Sequence, residues 1–151
     1  MKNLWLSIVF ACIGGGLVPQ DSMARERLIE EKPFAEHFLL LHISESDPIK
    51  QDLVLSVANN VLKAYGPDQV EIEVVAFGQG IELLKRSNHK ASRISLLAAQ
   101  GVRFYACEIS LSTHQKKAGQ PFPLHPQAQQ VNAGVPYMMQ QQKSGYILIK
   151  P

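Results

Sequence analysis

The order of predicted elements indicates an α/β protein, specifically a three-layer α/β/α sandwich with a mainly parallel sheet of about five strands. Short apolar runs that are typical of strands alternate along the chain with longer amphipathic segments that are typical of helices. Residues 37–43 (HFLLLHI) form a nearly continuous apolar run, as expected for a strand that is buried on both faces. Glycine and proline residues separate these segments and predict short turns between them.

The first helix is predicted to begin at Asp47-Pro48. The aspartate can cap free amide groups, and proline at the first helical position loses no hydrogen bond. Gly66-Pro67 is predicted to end this helix. Apolar residues recur every four positions with a second apolar row beside them, so the helix is predicted to be amphipathic. The first row is Ile49, Leu53, Val57 and Val61, and the second is Val54, Ala58 and Leu62.

The rest of the chain continues the alternation. Residues 70–77 (VEIEVVAF) alternate at first between apolar and acidic residues and then become wholly apolar, which predicts the second strand. Further strands are predicted at residues 102–106, 129–132 and 146–149. Helices are predicted at residues 81–85, in the segment that ends at Gly101, and at residues 108–119 and 135–142. Strands that alternate with helices across short turns imply right-handed crossovers and a parallel sheet covered on both faces.

The N-terminal residues are typical of a secretory signal peptide. Lys2 is followed by an apolar run from Leu4 to Val18, and small residues precede the expected cleavage point after Ala24. We therefore expect residues 1–24 to be a signal peptide, residues 25–36 a flexible lead-in, and residues 37–151 one domain of a periplasmic protein with no membrane attachment after cleavage. Two alternatives remain open, a retained N-terminal membrane anchor and a lipid on Cys12.

Charge and motifs exclude several function classes. The formal net charge of +2 argues against nucleic acid as the main partner, because phosphate binding needs a concentrated basic face. No histidines and carboxylates have the spacing of metal ligands, so we expect no metal. The Gly78-Gln79-Gly80 segment lacks the third glycine of a dinucleotide fingerprint, and we expect no cofactor.

The cysteines indicate a specific candidate for the functional residue. Cys12 would leave with the signal peptide, which leaves Cys107 without a partner in its own chain. An exported domain that relies on disulfides would carry an even number of cysteines. A lone thiol in an oxidising compartment is open to mixed disulfides and to over-oxidation, so its presence requires a reason.

Cys107 lies where the third strand meets the following helix, and ligands of parallel sheets bind at that edge of the sheet. The free amides at a helix start favour a thiolate, whereas the neighbouring carboxylate of Glu108 raises the pKa of the thiol. His114 lies two helical turns further on and could pair with the thiolate. His42 closes the first strand at the same edge, although a core histidine that donates to a carbonyl is the simpler interpretation. Cys107 itself could equally be a small buried apolar residue.

Three segments in a specific order resemble a known family. They are residues 70–85 with the Gly78-Gln79-Gly80 turn, residues 101–108 with Cys107, and residues 133–151 with the last helix and strand. Together they are similar to the DsrE/DsrF-like (intracellular sulfur oxidation) proteins, and this chain would be an exported branch. The resemblance implies a small α/β/α domain that forms trimers or hexamers, and a cysteine that carries sulfur as a persulfide between partner proteins. Similar members tend to have Asn-Thr where this chain has Ile109-Ser110, and Ser110 keeps the hydroxyl group.

Two hypotheses of function follow. In the first, the chain is a periplasmic sulfur carrier that accepts a persulfide on Cys107 from a donor protein and passes it to an acceptor protein; whether this makes it an enzyme stays open. In the second, the chain is an oligomeric binding module for a small anion or another small molecule, and Cys107 only lines the pocket. The candidate binding residues are His42, Gly78, Gln79, Gly80, Glu108, Ser110 and His114.

Overall fold

The structure is a computed structural model that describes residues 32–151. The expected signal peptide and most of the lead-in lie outside these residues. Within the described part, Lys32 contacts the start of the second strand, because its Nζ donates to the carbonyls of Pro67 and Val70 at 2.9 and 3.1 Å. The Glu36 amide donates to the Gln69 carbonyl at 2.9 Å. Residues 32–36 therefore lie against the domain.

The described chain forms a five-stranded sheet in the order β4-β3-β2-β1-β5, and every pair of neighbouring strands is parallel. Helices cover both faces of this sheet, so the predicted three-layer α/β/α sandwich is confirmed. The strands are β1 (His37–Ile43), β2 (Val70–Ala76), β3 (Arg103–Cys107), β4 (Ala128–Val131) and β5 (Ile147–Ile149).

Four α-helices and one 3₁₀ helix connect the strands. They are α1 (Pro48–Tyr65), the 3₁₀ helix (Gly78–Leu84), α2 (Ala91–Ala99), α3 (Glu108–Ala118) and α4 (Gly134–Lys143). The start of α1 is as predicted, because the Asp47 carboxylate accepts the amide of Ile49 at 2.8 Å. Gly66 ends α1 with a φ of 84°, a backbone conformation that favours glycine. Within residues 32–151, no helix is both long and apolar enough to cross a membrane.

The two faces of the sheet differ in composition. Side chains from α1, α2, α3 and the 3₁₀ helix cover one face, which we call the apolar face, and they form a large cluster of buried apolar residues that includes Leu55 and Phe104. Within residues 32–151, α4 alone covers the other face, which we call the α4 face. Its buried apolar cluster is small and consists of Leu40, Val75, Met138 and Tyr146.

The orientation of α1 agrees with the sequence prediction only in part, because the second predicted row (Val54, Ala58 and Leu62) is buried but the first row turns outward at its start. The side chains of Ile49 and Leu53 are 76% and 41% exposed, although both belong to the predicted stripe. Residues spaced by four advance about 40° round a helix at each step, so a row of four such residues cannot all face one core. The buried apolar residues of α1 are Val54, Leu55, Ala58 and Leu62.

Candidate functional site

Cys107 is the last residue of β3 and immediately precedes α3. Its side chain belongs to the α4 face, since Arg103, Tyr105 and Cys107 alternate with the buried Phe104 and Ala106 of the apolar face. Residue 107 is free of any disulfide and only 5% exposed. At the end of β4, the chain enters α4 at Gly134, so the starts of two helices lie beside the thiol.

The surroundings of the Cys107 sulfur lower the pKa of the thiol. Burial raises the pKa of the thiol, but hydrogen bonds from the Ser110 hydroxyl and from the amides of Gly134, Ser110 and Ile109 outweigh burial, and the pKa is held below its ordinary value. Hydrogen bonds to the charged form favour that form. The amides come from the first turns of α3 and α4, where amide groups lack partners within the helix. Hydrogen bonds of this kind favour the thiolate form of a cysteine.

Ser110 links the thiol to the glycine turn. Its hydroxyl oxygen accepts the amide of Gly78 at 2.8 Å, while the hydroxyl hydrogen is available to the Cys107 sulfur. The accepted bond orients the hydroxyl, because the lone pair that faces Gly78 directs the hydrogen elsewhere. Ser110, which belongs to α3, therefore lies beside the Cys107 sulfur and also bonds to the first residue of the 3₁₀ helix.

Gly134 approaches the thiol closely enough to exclude a larger residue. A Cβ atom at this position would lie 3.3 Å from the Cβ atoms of both Cys107 and Phe77, and 3.5 Å from Val75 Cγ1. Glycine thus allows the start of α4 to pack directly on the end of the sheet. The sequence placed Gly134 at this edge but gave no reason to select it, because its contribution is a backbone amide.

The glycine turn has a structural role in this conformation. Gly78 has a φ of 56°, and a Cβ atom on Gly80 would overlap the carbonyl of Ile43 at the end of β1. The Gly78 amide donates to Ser110, and the Gly80 amide donates to the Phe77 carbonyl at 2.9 Å. Both amides are used within the protein, so neither is available to a ligand as the binding-module hypothesis required.

Gln79 and Glu108 both lie in exposed positions near this edge. The Gln79 side-chain oxygen accepts a hydrogen bond from the Ser46 hydroxyl at 3.3 Å.

Glu108 has little influence on the thiol. The strongest influences on the pKa of Cys107 are burial and hydrogen bonds. Glu108 therefore adjoins the thiol in sequence, but its carboxylate extends into solvent.

His114 does not join the thiol. Its Nδ1 lies 3.4 Å from Glu82 Oε1, and its ring packs edge-on against Phe122 at 5.8 Å. These residues line a surface cavity of about 250 Å³ between α3 and the proline-rich loop. Two helical turns correspond to about 10 Å along the axis, so His114 is too far along α3 to pair with the Cys107 sulfur.

His42 lies near the same edge of the sheet, beside Phe77 at 5.5 Å between ring centroids. Burial, followed by the positive charge of Lys150, lowers its pKa, whereas Glu45 raises it. Its Nδ1 atom is buried, and no group within residues 32–151 forms a hydrogen bond with it. The expected hydrogen bond from His42 to a carbonyl is therefore not formed by Nδ1.

The residues described hold no cluster of histidine, cysteine and carboxylate side chains that could bind a metal ion. What the edge of the sheet does offer is a buried thiol surrounded by hydrogen-bond donors. Such a thiol can act as a nucleophile toward a small electrophilic sulfur and can stabilise the anionic product.

Comparisons with known proteins place the chain in one family. No family model matches the chain, and no curated protein matches it. Among solved structures, it is similar to a protein of unknown function from Methanobacterium thermoautotrophicum, with a TM-score of 0.68 and 30% sequence identity. The match covers 77% of this chain and 100% of the archaeal chain. The chain therefore belongs to the same family as this archaeal protein of unknown function.

Proposed function

We propose that this chain is a sulfur carrier that holds a sulfane sulfur on Cys107 as a persulfide and passes it to a partner protein. One observation carries the proposal: Cys107 lies against the starts of both α3 and α4, where the Ser110 hydroxyl and nearby backbone amides hold the pKa of its thiol below the ordinary value. A thiolate is the nucleophile in sulfur exchange, so a lowered pKa increases the reactive fraction at neutral pH.

The transfer is an exchange of one sulfur atom without net oxidation. The Cys107 thiolate attacks the outer sulfur of a donor persulfide and forms a new sulfur–sulfur bond. The bond between the donor's two sulfur atoms breaks, and the donor leaves as a thiolate. The same donors that hold the thiolate can then stabilise the anionic persulfide, because the negative charge moves by only one atom. Attack by an acceptor thiolate on the outer sulfur reverses the exchange and regenerates Cys107.

Exposed apolar side chains beside the thiol support approach by a protein partner. Ile109 and Val135 are 62% and 49% exposed, and each belongs to the first turn of a helix whose amides bond to Cys107. A partner that covers them would exclude water from the exchange. Sulfur donor and acceptor proteins are accordingly the partners we propose.

The wider expectations from the sequence also remain proposals. They are membership of the DsrE/DsrF-like family, periplasmic location, and assembly into a trimer or hexamer. Three large side chains follow one another on α4: Tyr137 and Met138 pack toward the sheet, whereas Met139 is 59% exposed and is available to a contact between copies of the chain.

The alternative of a small-anion binding module has less support. It depended on the amides of Gly78 and Gly80, and both donate within the protein. The amides that remain near the edge of the sheet are directed at Cys107. A ligand at this place would therefore interact with the thiol itself.

Incubation with inorganic polysulfide, followed by intact-mass and peptide analysis, tests the carrier proposal. We expect the mass to increase by one sulfur atom on Cys107, and we expect no increase on this peptide in Cys107→Ser. Ser110→Ala should reduce the yield of the adduct. Ser112→Ala is the matched control, since its side chain points about 200° away round the same helix. A wild-type protein that acquires no sulfur on Cys107 would refute the proposal.

A further inference from the structure

A buried carboxylate lies in the middle of the α4 face. Glu73 is fully buried, and its neighbour on the same face, Glu71, is 1% exposed. The Arg103 guanidinium contacts both carboxylates, at 3.0 Å from Glu73 Oε1 and 2.8 Å from Glu71 Oε1. The Tyr146 hydroxyl donates to Glu73 Oε1 at 3.3 Å. A charged group this deep in a protein requires such partners, because burial without them costs several kcal/mol.

Two of the partners of Glu73 belong to α4. The Tyr137 hydroxyl donates to Glu73 Oε2 at 3.0 Å, and Gln141 Nε2 lies 3.1 Å from both carboxylate oxygens. Gln141 Nε2 also donates to the Tyr137 hydroxyl oxygen at 2.7 Å. Tyr137 and Gln141 are four residues apart and so occupy the same face of the helix. One carboxylate of β2 thereby bonds to two successive turns of α4.

Other interactions give α4 little support. Gly134 and Met138 are its only fully buried residues, and Met138 is its one large buried apolar side chain. Ala133 precedes the helix and provides no side-chain cap. By contrast, α1 buries Val54, Leu55, Ala58 and Leu62 and has the Asp47 cap. The polar contacts with Glu73 are therefore a large part of what fixes α4 on the sheet.

We propose that Glu73 is a positioning residue for Cys107: through Tyr137 and Gln141, its buried carboxylate fixes α4 so that the start of this helix, at Gly134, packs directly against Cys107. Gly134 begins the helix, and Tyr137 follows it by three residues, or about 4.5 Å along the axis. Because a helix moves as a unit over so short a distance, a shift at Tyr137 is transmitted to the Gly134 amide. Hydrogen bonds weaken steeply with distance and angle, so a shift below 1 Å is enough to matter.

This inference rests on the proposed function only in taking Cys107 as the reactive group. It adds that the reactivity depends on hydrogen bonds of α4 that lie three to seven residues beyond Gly134. Neither Tyr137 nor Gln141 donates to the thiol, so any effect of changing them must act through the placement of α4.

The test compares the rate of Cys107 alkylation by iodoacetamide, as a function of pH, among variants of the full chain. Gln141→Met removes the amide donor but keeps the side-chain length, and Tyr137→Phe removes only a hydroxyl. Gln140→Met is the matched control, because Gln140 is an exposed position of the same helix. Peptide mass spectrometry locates the label on Cys107, and circular dichroism identifies variants that remain folded.

We expect the pH midpoint of alkylation to rise in both network variants, with a roughly twofold to tenfold lower rate at neutral pH, as for the loss of one hydrogen bond. The control should behave as the wild type does. If Gln141→Met does not fold, Tyr137→Phe decides the question, since it leaves the ring and its packing in place.

Two results would overturn the inference, and they are distinguishable. Folded network variants with the midpoint of the wild type would show that Glu73 does not position α4, although the carrier proposal would stand. A wild-type thiol with the midpoint of an unfolded cysteine would remove the proposed function and this inference together.

Discussion

The two faces of the sheet are stabilised in different ways. On the apolar face, four helical segments bury aliphatic side chains against β1, β2 and β3, and buried charge plays no part in that cluster. On the α4 face, a single helix packs over a small apolar cluster and a network of acidic, basic and phenolic side chains centred on Glu73. Cys107 belongs to the second face.

This difference indicates how stability and function are divided in the domain. Apolar packing is non-directional and tolerates small shifts, whereas a hydrogen bond depends on distance and angle. A thiolate that relies on the amides of Ile109, Ser110 and Gly134 needs the second kind of precision. We therefore expect substitutions on the apolar face to change the free energy of unfolding, and substitutions on the α4 face to change the chemistry of Cys107.

The largest expected effect is on the apolar face. Leu55→Ala should lower the free energy of unfolding by about 2–5 kcal/mol, because Leu55 is completely buried and a cavity would remain. Leu53→Ala is the matched control on the same helix and should cost less than about 1 kcal/mol, as Leu53 is 41% exposed. Urea denaturation measures both values. Equal losses would mean that Leu53 contributes as much to the core as Leu55 does, and would contradict this orientation of α1.

The next largest expected effect is on how the free energy of unfolding depends on pH, through Glu73 on the α4 face. Burial raises the pKa of Glu73, against the opposing influence of Arg103, Tyr137 and Tyr146. The folded protein therefore keeps this proton to a higher pH than the unfolded chain does, so this group makes stability fall as pH rises above the ordinary carboxyl pKa. The slope can reach about 1.4 kcal/mol per pH unit.

Glu73→Gln should flatten that decline above the ordinary carboxyl pKa, because the variant has no proton to lose at this site. Denaturation at several pH values measures the slope, and Glu36→Gln at an exposed position is the control. The prediction concerns the slope, since the loss of hydrogen bonds lowers the absolute stability at every pH. Identical slopes in the wild type and Glu73→Gln would contradict it.

A smaller effect is expected where α4 meets the thiol. Gly134→Ala would place a methyl group 3.3 Å from the Cβ atoms of Cys107 and Phe77, so the start of α4 must move by a few tenths of an ångström. We expect alkylation of Cys107 at neutral pH to slow by roughly twofold to tenfold, as for one weakened hydrogen bond. Val135→Ala, at the next and exposed position, should leave the rate unchanged. An unchanged rate in Gly134→Ala would show that this amide contributes little.

The smallest effect is expected from the neighbouring charge. Glu108→Gln should speed alkylation of Cys107 by less than about twofold, because an exposed carboxylate is screened by water and salt. The gain should shrink further at high ionic strength. A large gain that persists in high salt would mean that the Glu108 carboxylate acts on the thiol at close range.

The fold was largely predictable because local signals were strong. The apolar run of β1 and the Asp47-Pro48 start of α1 each specify one element without help from distant residues. The facing of α1 was only partly predictable from spacing, since the row of Val54, Ala58 and Leu62 is buried whereas Ile49 and Leu53 of the other row are exposed. Leu55 lies outside both predicted rows and is completely buried.

The site was predictable only in part. A strand followed by a helix correctly placed Cys107 beside free amides, but the amides that matter include Gly134, which comes from another helix. An alternating strand such as β2 usually has one face in solvent, yet Glu73 is buried. Its partners Tyr137 and Gln141 follow it by 64 and 68 residues, so no local pattern announces them.

The measurement that tests the central claim most directly is the pH dependence of Cys107 alkylation in the folded wild-type protein, compared with the same chain unfolded in urea. If the Ser110 hydroxyl and the three amides stabilise a thiolate, the midpoint for the folded protein lies below that of the unfolded chain, and Cys107 reacts at neutral pH despite being 5% exposed. A midpoint at or above that of the unfolded chain, or a thiol that does not react until the protein unfolds, would contradict the claim and identify Cys107 as a packing residue.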